Sequence, residues 1–169
     1  WKDALESIDA ALHCPFAGNI NNLKFIILED KSKIEKIAKH CKQHWISNSG
    51  LVIMVCSDDK HLQNLYGERG RVYSKQQAGA AVMTILLKLV DLDLSACWVG
   101  AFTDEILKNS LKIPAHIEIE AIIPIGYEKP SKTETKKRKE NIKNAIFWEA
   151  WNKSRRPTIF ESTDEDILG

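Results

Sequence analysis

The chain has 169 residues, 44% hydrophobic and 28% charged, with a formal net charge of +1, the composition of one ordinary globular domain with room for a core. No apolar run reaches the ~18–20 residues of a membrane-spanning helix, and eight Gly with five Pro exclude fibrous and wholly disordered classes. A near-neutral balance excludes a global positive field aimed at nucleic acid. Residue 1 is a tryptophan with no signal-peptide pattern after it, and the expectation is that further sequence lies upstream.

In chain order, Leu5, Ile8, Ala11 and Leu12 have helical spacing, and the pattern predicts a helix over 2–13 that stops near Cys14-Pro15. Phe16 to Asn22 reads as a loop in which Gly and Asn can take positive φ. Phe25–Leu28 reads as a buried strand. Asp30–Trp45 reads as an amphipathic helix, with Ile34, Ile37, Cys41 and Trp45 on one face. Leu51–Cys56 is a second, almost wholly apolar strand. Residues 58–72 are polar, contain Gly67 and Gly70, and read as a variable surface connection. A long helix is predicted from Tyr73 to Leu92. Its Ala78-Gly79-Ala80-Ala81 run suits either tight helix packing or the approach of a flat ligand. Ala96–Gly100 resembles a strand or strand end. Thr103 suits the N-cap of a helix that ends before Pro114. Ile117–Ile125 reads as a central strand. Strands alternate with helices, an order that argues for an α+β or α/β layered domain.

Charge is distributed unevenly. Residues 1–129 carry fifteen basic and sixteen acidic side chains, residues 130–156 carry nine basic against three acidic, and four acidic residues follow. Lys136-Lys137-Arg138-Lys139 reads either as a solvated connector or as a contact to phosphate or nucleic acid. Ile142, Ile146, Phe147, Trp148 and Trp151 then imply docking on something, as an arm that could cross to another subunit. The organisation expected is a core over 1–129 and a basic arm with an acidic tail over 130–169, in one domain.

Cys14, Cys41, Cys56 and Cys97 form no C-x-x-C pair and have no metal spacing. A reduced, cytoplasmic protein without a structural metal fits them best. His40 and His44 stand at i, i+4 with no third ligand and read as a polar helix face. The G-x-S-x-G, Walker and G-x-G-x-x-G templates are missing. No catalytic side chain is therefore assigned, and a bound cofactor is the better carrier of chemistry.

Four segments resemble the FMN-dependent nitroreductase family, in order, over nearly the whole chain to residue 151. Cys14-Pro15-Phe16-Ala17-Gly18-Asn19 through Ile27 is similar to its a-P-S-x-x-N-x-Q-P-W-x-F-i-v segment. Gln77–Ala81 through Leu92–Phe102 resembles its D-A-G-A-A…L-G-L-G-S-C-W-I-G-A-F segment without a gap. Ile113-Pro114 and Ile123–Tyr127 resemble l-G-I-P…a-l-I-P-I-G-Y-P. Arg138-Lys139 to Trp151 resembles its closing R-k-P-l-e-e-v-v-h-W-e-r-W.

The resemblance implies an α+β fold: a central mixed, mainly antiparallel sheet flanked by helices, with C-terminal arms exchanged in an intertwined homodimer. It implies FMN at the dimer interface and a hydride passed from NAD(P)H through flavin N5 to a small-molecule acceptor such as a nitroaromatic or quinone. Carried over residue by residue, Pro15, Phe16, Ala17 and Asn19 match the loop that, usually from the partner subunit, lies against the flavin. Trp98, Val99 and Gly100 pass beside its ring and offer backbone N–H groups. Arg138 pairs with its phosphate, assisted by Lys137 and Lys139.

The sequence departs from the pattern at several points. Phe16 and Ala17 replace serines, Asn21-Asn22-Leu23 replace Gln-Pro-Trp, and Met83-Thr84 replace Gln-Asn. Asp93 and Ser95 replace glycines before Cys97. The family's leading Arg-Arg-Ser-x-Arg element does not occur in residues 1–13. Two alternatives stand beside the oxidoreductase reading. One is a specialised relative that takes another flavin-like ligand, such as F420 or a flavin being modified. The other is a non-enzymatic module that binds nucleic acid or another acidic partner through Lys136–Lys139.

Overall fold

A computed structural model describes residues 1–128 and 141–157 of the chain. The chain divides into two units, Trp1–Lys129 and Pro130–Gly169. In the first unit the helices are α1 (Lys2–Leu12), α2 (Lys31–His40), α3 (Lys60–Tyr66), α4 (Glu68–Asp91) and α5 (Asp104–Leu111), and the strands are β1 (Leu23–Leu28), β2 (Leu51–Ser57), β3 (Ser95–Ala96) and β4 (Glu118–Gly126).

The strands form one sheet in the order β1-β2-β4-β3, and every described pairing is antiparallel. The mainly antiparallel α+β sheet implied by the resemblance is therefore present. Strand β2 is buried at all seven positions, because its alternating side chains enter two separate cores. Leu51, Ile53 and Val55 pack with Ala121, Ile123 and Ile125 of β4 against α1 and α4. Val52, Met54 and Cys56 pack with Ile119 and Ile122 against Ile34, Ile37 and Ala38 of α2 and Leu107 of α5. The sheet is thus the middle of three layers, and both faces stabilise by removing apolar area from water. Burial in this medium pushes the Cys41 and Cys56 thiols up to about 11 from their ordinary 9.0.

Three of the expected elements differ. Helix α2 ends at His40 rather than Trp45, because Lys42 turns to φ 54 and a 3-10 turn over His44–Asn48 follows. That turn buries Ile46 and leaves Trp45 half exposed, and His40 and His44 do not share a helix. Asp30 caps α2 through Oδ1, which accepts the N–H groups of Ser32 and Lys33. Residues 58–72 are not an irregular connection but hold α3 and the first turn of α4. Gly67, at φ 57 and ψ −140, makes the break between them, a conformation open to glycine. Gly70 lies inside α4, where a Cβ would strike the Leu62 carbonyl. The strand expected over Ala96–Gly100 is cut to Ser95–Ala96 plus an isolated pairing of Val99 with Ile122.

Helix α5 starts after Thr103 as expected, although the Thr103 side chain makes no capping hydrogen bond. Asp93, which stands where the family pattern has glycine, keeps a left-handed backbone at φ 57, a conformation Asp tolerates better than most residues.

One residue of β4 bears directly on the interruption beside it. Ser95 pairs with Gly126, Ala96 with Ile125 and Val99 with Ile122, so one register runs through the whole segment. Val99 and Ile122 exchange both backbone bonds, at 2.9 and 3.0 Å. By antiparallel alternation the next such exchange falls on Cys97 and Pro124. Pro124 has no N–H to give, so one of the two bonds cannot form, and the Cys97 N–H does not make the other. On its other side Pro124 faces Val52 of β2 at a position where no N–H is needed.

In the second unit the described residues form a 3-10 turn at Ile142–Asn144 with Asn141 at its N-cap. The Phe147 and Trp151 rings pack 4.8 Å apart, and the Arg156 guanidinium lies 5.7 Å from the Trp148 ring centroid. Trp151 stays largely exposed.

Candidate functional site

The predicted loop, the small-residue helix and the Cys-Trp-Val-Gly segment converge on α4. Four side chains of that helix, Tyr73, Gln76, Gln77 and Ala80, line a cleft of about 290 Å³ closed on the other side by Pro15 and Ala17. Their spacing of three and four residues places them along one side of the helix. Phe16 points from the same loop towards the α1–α4 core, against which it is partly buried. Gly18 and Asn19 have φ of 59 and 58, and the Asn19 side chain is exposed, with no partner among the described residues.

One side chain holds the loop to the helix. Gln77 is 4% exposed. Its Oε1 accepts the Ala17 N–H at 2.8 Å, and its Nε2 donates to the Ile20 carbonyl at 3.2 Å and to Asn22 Oδ1 at 2.8 Å. Asn22 in turn donates to the Ser74 hydroxyl at 2.7 Å. Farther along the helix, Cys14 Sγ and Thr84 Oγ1 are 3.1 Å apart, and Thr84 also donates to the Ala80 carbonyl. Gln77, Asn22 and Ser74 were not among the predicted site residues. The available signal is a polar pair, Ser74 and Gln77, within the otherwise apolar stripe that α4 buries: Ala78, Ala81, Val82, Ile85 and Leu89.

The far end of the cleft is aromatic. Tyr73 and Tyr66 meet edge to face, with centroids 5.4 Å apart, and the Tyr66 hydroxyl occupies the space that a Cβ at Gly18 would need. The Arg69 guanidinium lies 5.8 Å from the Tyr73 ring centroid.

Trp98 reaches the same helix from the sheet side. Its Cη2 lies 3.7 Å from where a Gly79 Cβ would be, so the small-residue run does admit a flat group, this chain's own indole. Trp98 is 46% exposed and is not a core residue. Val99 is buried, and its N–H and carbonyl are both committed to Ile122. Alternation along the segment turns the N–H groups of Trp98 and Gly100 the other way, towards the open edge of the sheet. Neither has a partner among the described residues. A Cβ at Gly100 would meet nothing within 4 Å. Lys137, Arg138 and Lys139 lie outside the described residues.

A second groove, of about 930 Å³, is lined by Asp58, Asp59, Arg71, Lys75, His116 and Glu118 among others. Its charges largely answer one another: Arg71 Nε is 3.6 Å from Asp59, and Lys75 is 2.9 Å from the nearly buried Glu120, which also accepts the Ser57 hydroxyl at 2.5 Å. Among the described residues no group of three His, Cys, Asp or Glu side chains could hold a metal ion, and no helix is long and apolar enough to cross a membrane.

Comparison with known proteins agrees with this geometry. A protein from Archaeoglobus fulgidus assigned as an NADH dehydrogenase/NAD(P)H nitroreductase is 27% identical over 136 residues, covering 78% of this chain and 75% of its own. The crystal structure of a nitroreductase family protein from Clostridium novyi superimposes with a TM-score of 0.70 at 23% identity, covering 89% of this chain and 83% of its own. An FMN-dependent nitroreductase from Clostridium difficile gives 0.64 at 25% identity, with 78% and 79% covered. The model of the nitroreductase family matches residues 41–127, which include β2, α4, the Trp98–Gly100 edge and β4, and on that match the chain belongs to the nitroreductase family of flavin-dependent oxidoreductases.

Proposed function

We propose that the protein binds FMN and uses it to carry reducing equivalents from NAD(P)H to a small-molecule acceptor such as a nitroaromatic or quinone. The observation that carries this reading is the pair of unpartnered N–H groups at Trp98 and Gly100, held on either side of the Val99–Ile122 exchange. Such donors suit the polar atoms of a flavin ring, and the exposed indole beside them suits its apolar face. FMN, when bound, supplies the redox centre at N5, which takes a hydride and passes it on.

The chain's own residues do the rest. Val99 anchors the segment, while Trp98 and Gly100 donate. Pro15, Ala17 and Asn19 form the loop side of the site, with Phe16 packed behind them against the core and the loop's shape kept by Gln77. Arg138 is proposed for the phosphate, since a guanidinium matches phosphate oxygens in pairs.

A homodimer completes the proposal. The outer side of α4 exposes Val72, Met83, Leu87 and Val90, and α1 exposes Leu5 and Leu12. Apolar side chains repeated along two packed helices are the composition of an interface. Residues 130–169 are proposed to belong to the same domain as 1–129 and to cross to the partner subunit as an arm, with Trp148 and Trp151 as its anchors. Four unpaired thiols suit the reducing cytoplasm.

The test is the absorption spectrum of the purified full chain, before and after incubation with FMN, followed by NAD(P)H oxidation with a nitroaromatic. Flavin bands and turnover are expected, with FMN as the ligand identified by mass spectrometry. A colourless preparation that gains no absorbance from FMN refutes the reading, and a different flavin-like ligand redirects it.

A further inference from the structure

Of the three cations at the start of α4, two are already engaged: Arg71 lies by Asp59 and Lys75 by Glu120. Arg69 has no acidic partner among the described residues and is held instead over the Tyr73 ring. Tyr73 lines the cleft. Its orientation is fixed from behind by Tyr66, which reaches the loop because Gly18 has no Cβ. Gln76, beside it in the cleft, is exposed and its amide has no partner among the described residues. An aromatic face, a free amide and an unpaired guanidinium thus stand together at one end of a cleft whose other end is assigned to the flavin.

We propose that Arg69, with Tyr73, recognises a phosphate of the nicotinamide dinucleotide donor. The inference rests on the oxidoreductase reading above. A guanidinium held over a ring face by cation–π attraction leaves N–H donors free for a planar or tetrahedral anion. Distance excludes a small acceptor as the ligand, and Arg138 is the residue proposed for the flavin phosphate. Arg69 lies ten residues along α4 from Gly79, the residue that Trp98 touches, or about 15 Å at 1.5 Å per residue. A single-ring acceptor placed near Trp98 does not span that length, whereas the ribose-phosphate chain of a dinucleotide does. The cleft, at about 290 Å³, takes one part of such a chain rather than all of it, with the remainder lying along the helix surface.

The test compares the full chain with its Arg69→Gln and Arg69→Lys variants in two measurements. In the first, KM for NADH and NADPH is referred to KM for 1-benzyl-1,4-dihydronicotinamide, a donor without phosphates. The ratio is expected to rise about tenfold in Arg69→Gln, the effect of losing one charge-assisted contact, and less in Arg69→Lys. A larger rise for NADPH than for NADH places the contact on the 2′-phosphate; an equal rise places it on the pyrophosphate. In the second, binding of ADP-ribose and of 2′-phospho-ADP-ribose is followed by calorimetry. Arg69→Gln is expected to weaken binding about tenfold and to flatten its salt dependence, for both ligands with a pyrophosphate contact and for the 2′-phosphorylated one alone with a 2′-phosphate contact.

An equal change for the phosphate-free donor, a loss of flavin retention in place of a KM effect, or binding of ADP-ribose and 2′-phospho-ADP-ribose that is absent or indifferent to Arg69 for both overturns the assignment. Failure of the oxidoreductase reading appears separately, as a chain that takes up no flavin. The paired measurement on ADP-ribose and 2′-phospho-ADP-ribose decides the Arg69 contact in either case.

Discussion

Replacing Gln77 should detach the site loop without unfolding the sheet. Three hydrogen bonds end on this one buried amide: Ala17 at 2.8 Å, Ile20 at 3.2 Å and Asn22 at 2.8 Å. A net value of about 0.5–1.5 kcal/mol for each gives a range of about 1.5–4.5 kcal/mol. Ala17 and Ile20 are only part-buried, so water can replace their lost partner and they count at the low end. Asn22 is 5% exposed and bears more of the loss. About 3 kcal/mol is expected for Gln77→Ala, with some of it due to the space vacated. In urea that is a midpoint shift of about 1–3 M for typical small-domain slopes of about 1–3 kcal/mol/M.

Gln77→Met separates the two causes, because it fills the space and makes none of the bonds. The assays are urea denaturation and amide exchange at Ala17, whose N–H should become the most accelerated of the loop. Cofactor titration on the same variants tells whether the loop must be docked for binding. A Gln77→Met variant within about 0.5 kcal/mol of the parent, with Ala17 exchange unchanged, would refute the claim that this amide holds the loop.

Gly70→Ala should cost about 2 kcal/mol or more by thermal or urea melting, because the new methyl meets the Leu62 carbonyl backbone; an unchanged melt would mean that α3 and α4 can separate freely. Asp30 is held below the ordinary carboxylate range by the Ser32 hydroxyl and then by the Lys33 N–H. It therefore stabilises α2 above that range and loses the effect as pH falls through its folded pKa. The stability gap between the parent and Asp30→Ala, measured near neutrality, should close in acid. The Cys41 and Cys56 thiols, pushed up to about 11 by burial, hold their protons longer folded than unfolded. Stability should accordingly decline as pH rises above about 9. At pH 8 a thiol reagent should modify the exposed Cys97 promptly and those two only on unfolding. Leu87→Asp, on the exposed side of α4, should shift the protein to monomers in light scattering; a persistent dimer would remove that face from the proposed interface.

Elements with one-sided or unbroken apolar pattern were readable from the sequence: α1, α5, β2 and β4 stand within a residue or two of their expected bounds. Helix α2 was overextended because Cys41 and Trp45 continue the spacing of Ile34 and Ile37. A left-handed Lys leaves no mark in a sequence as a Gly would, and Ile46 takes the buried place instead. The two glycines near the start of α4 carried opposite meanings. Gly67 breaks the chain, whereas Gly70 lets two helices approach, and composition alone read both as loop. In the site, the Pro15–Asn19 loop and the Trp98–Gly100 segment received their individual roles through the family resemblance. The Gln77 staple was not legible, because its partners lie 55 to 60 residues away and the pairing depends on how α4 is rotated over the sheet. The direction of the Trp98 and Gly100 amides likewise depends on strand register, which no local pattern fixes.

Pro124 gives the edge of the sheet an unusual property. The opening at Cys97 faces a residue of the opposite strand that has no hydrogen with which to close it. Pro124→Ala would restore that hydrogen in an otherwise continuous register, so β3 could zip through to Val99 as a single edge strand. The indole would then be drawn into line with its neighbours, and the segment would lose its freedom to settle around a ligand. A residue buried in the middle of a strand thus acts as a spacer for the rim.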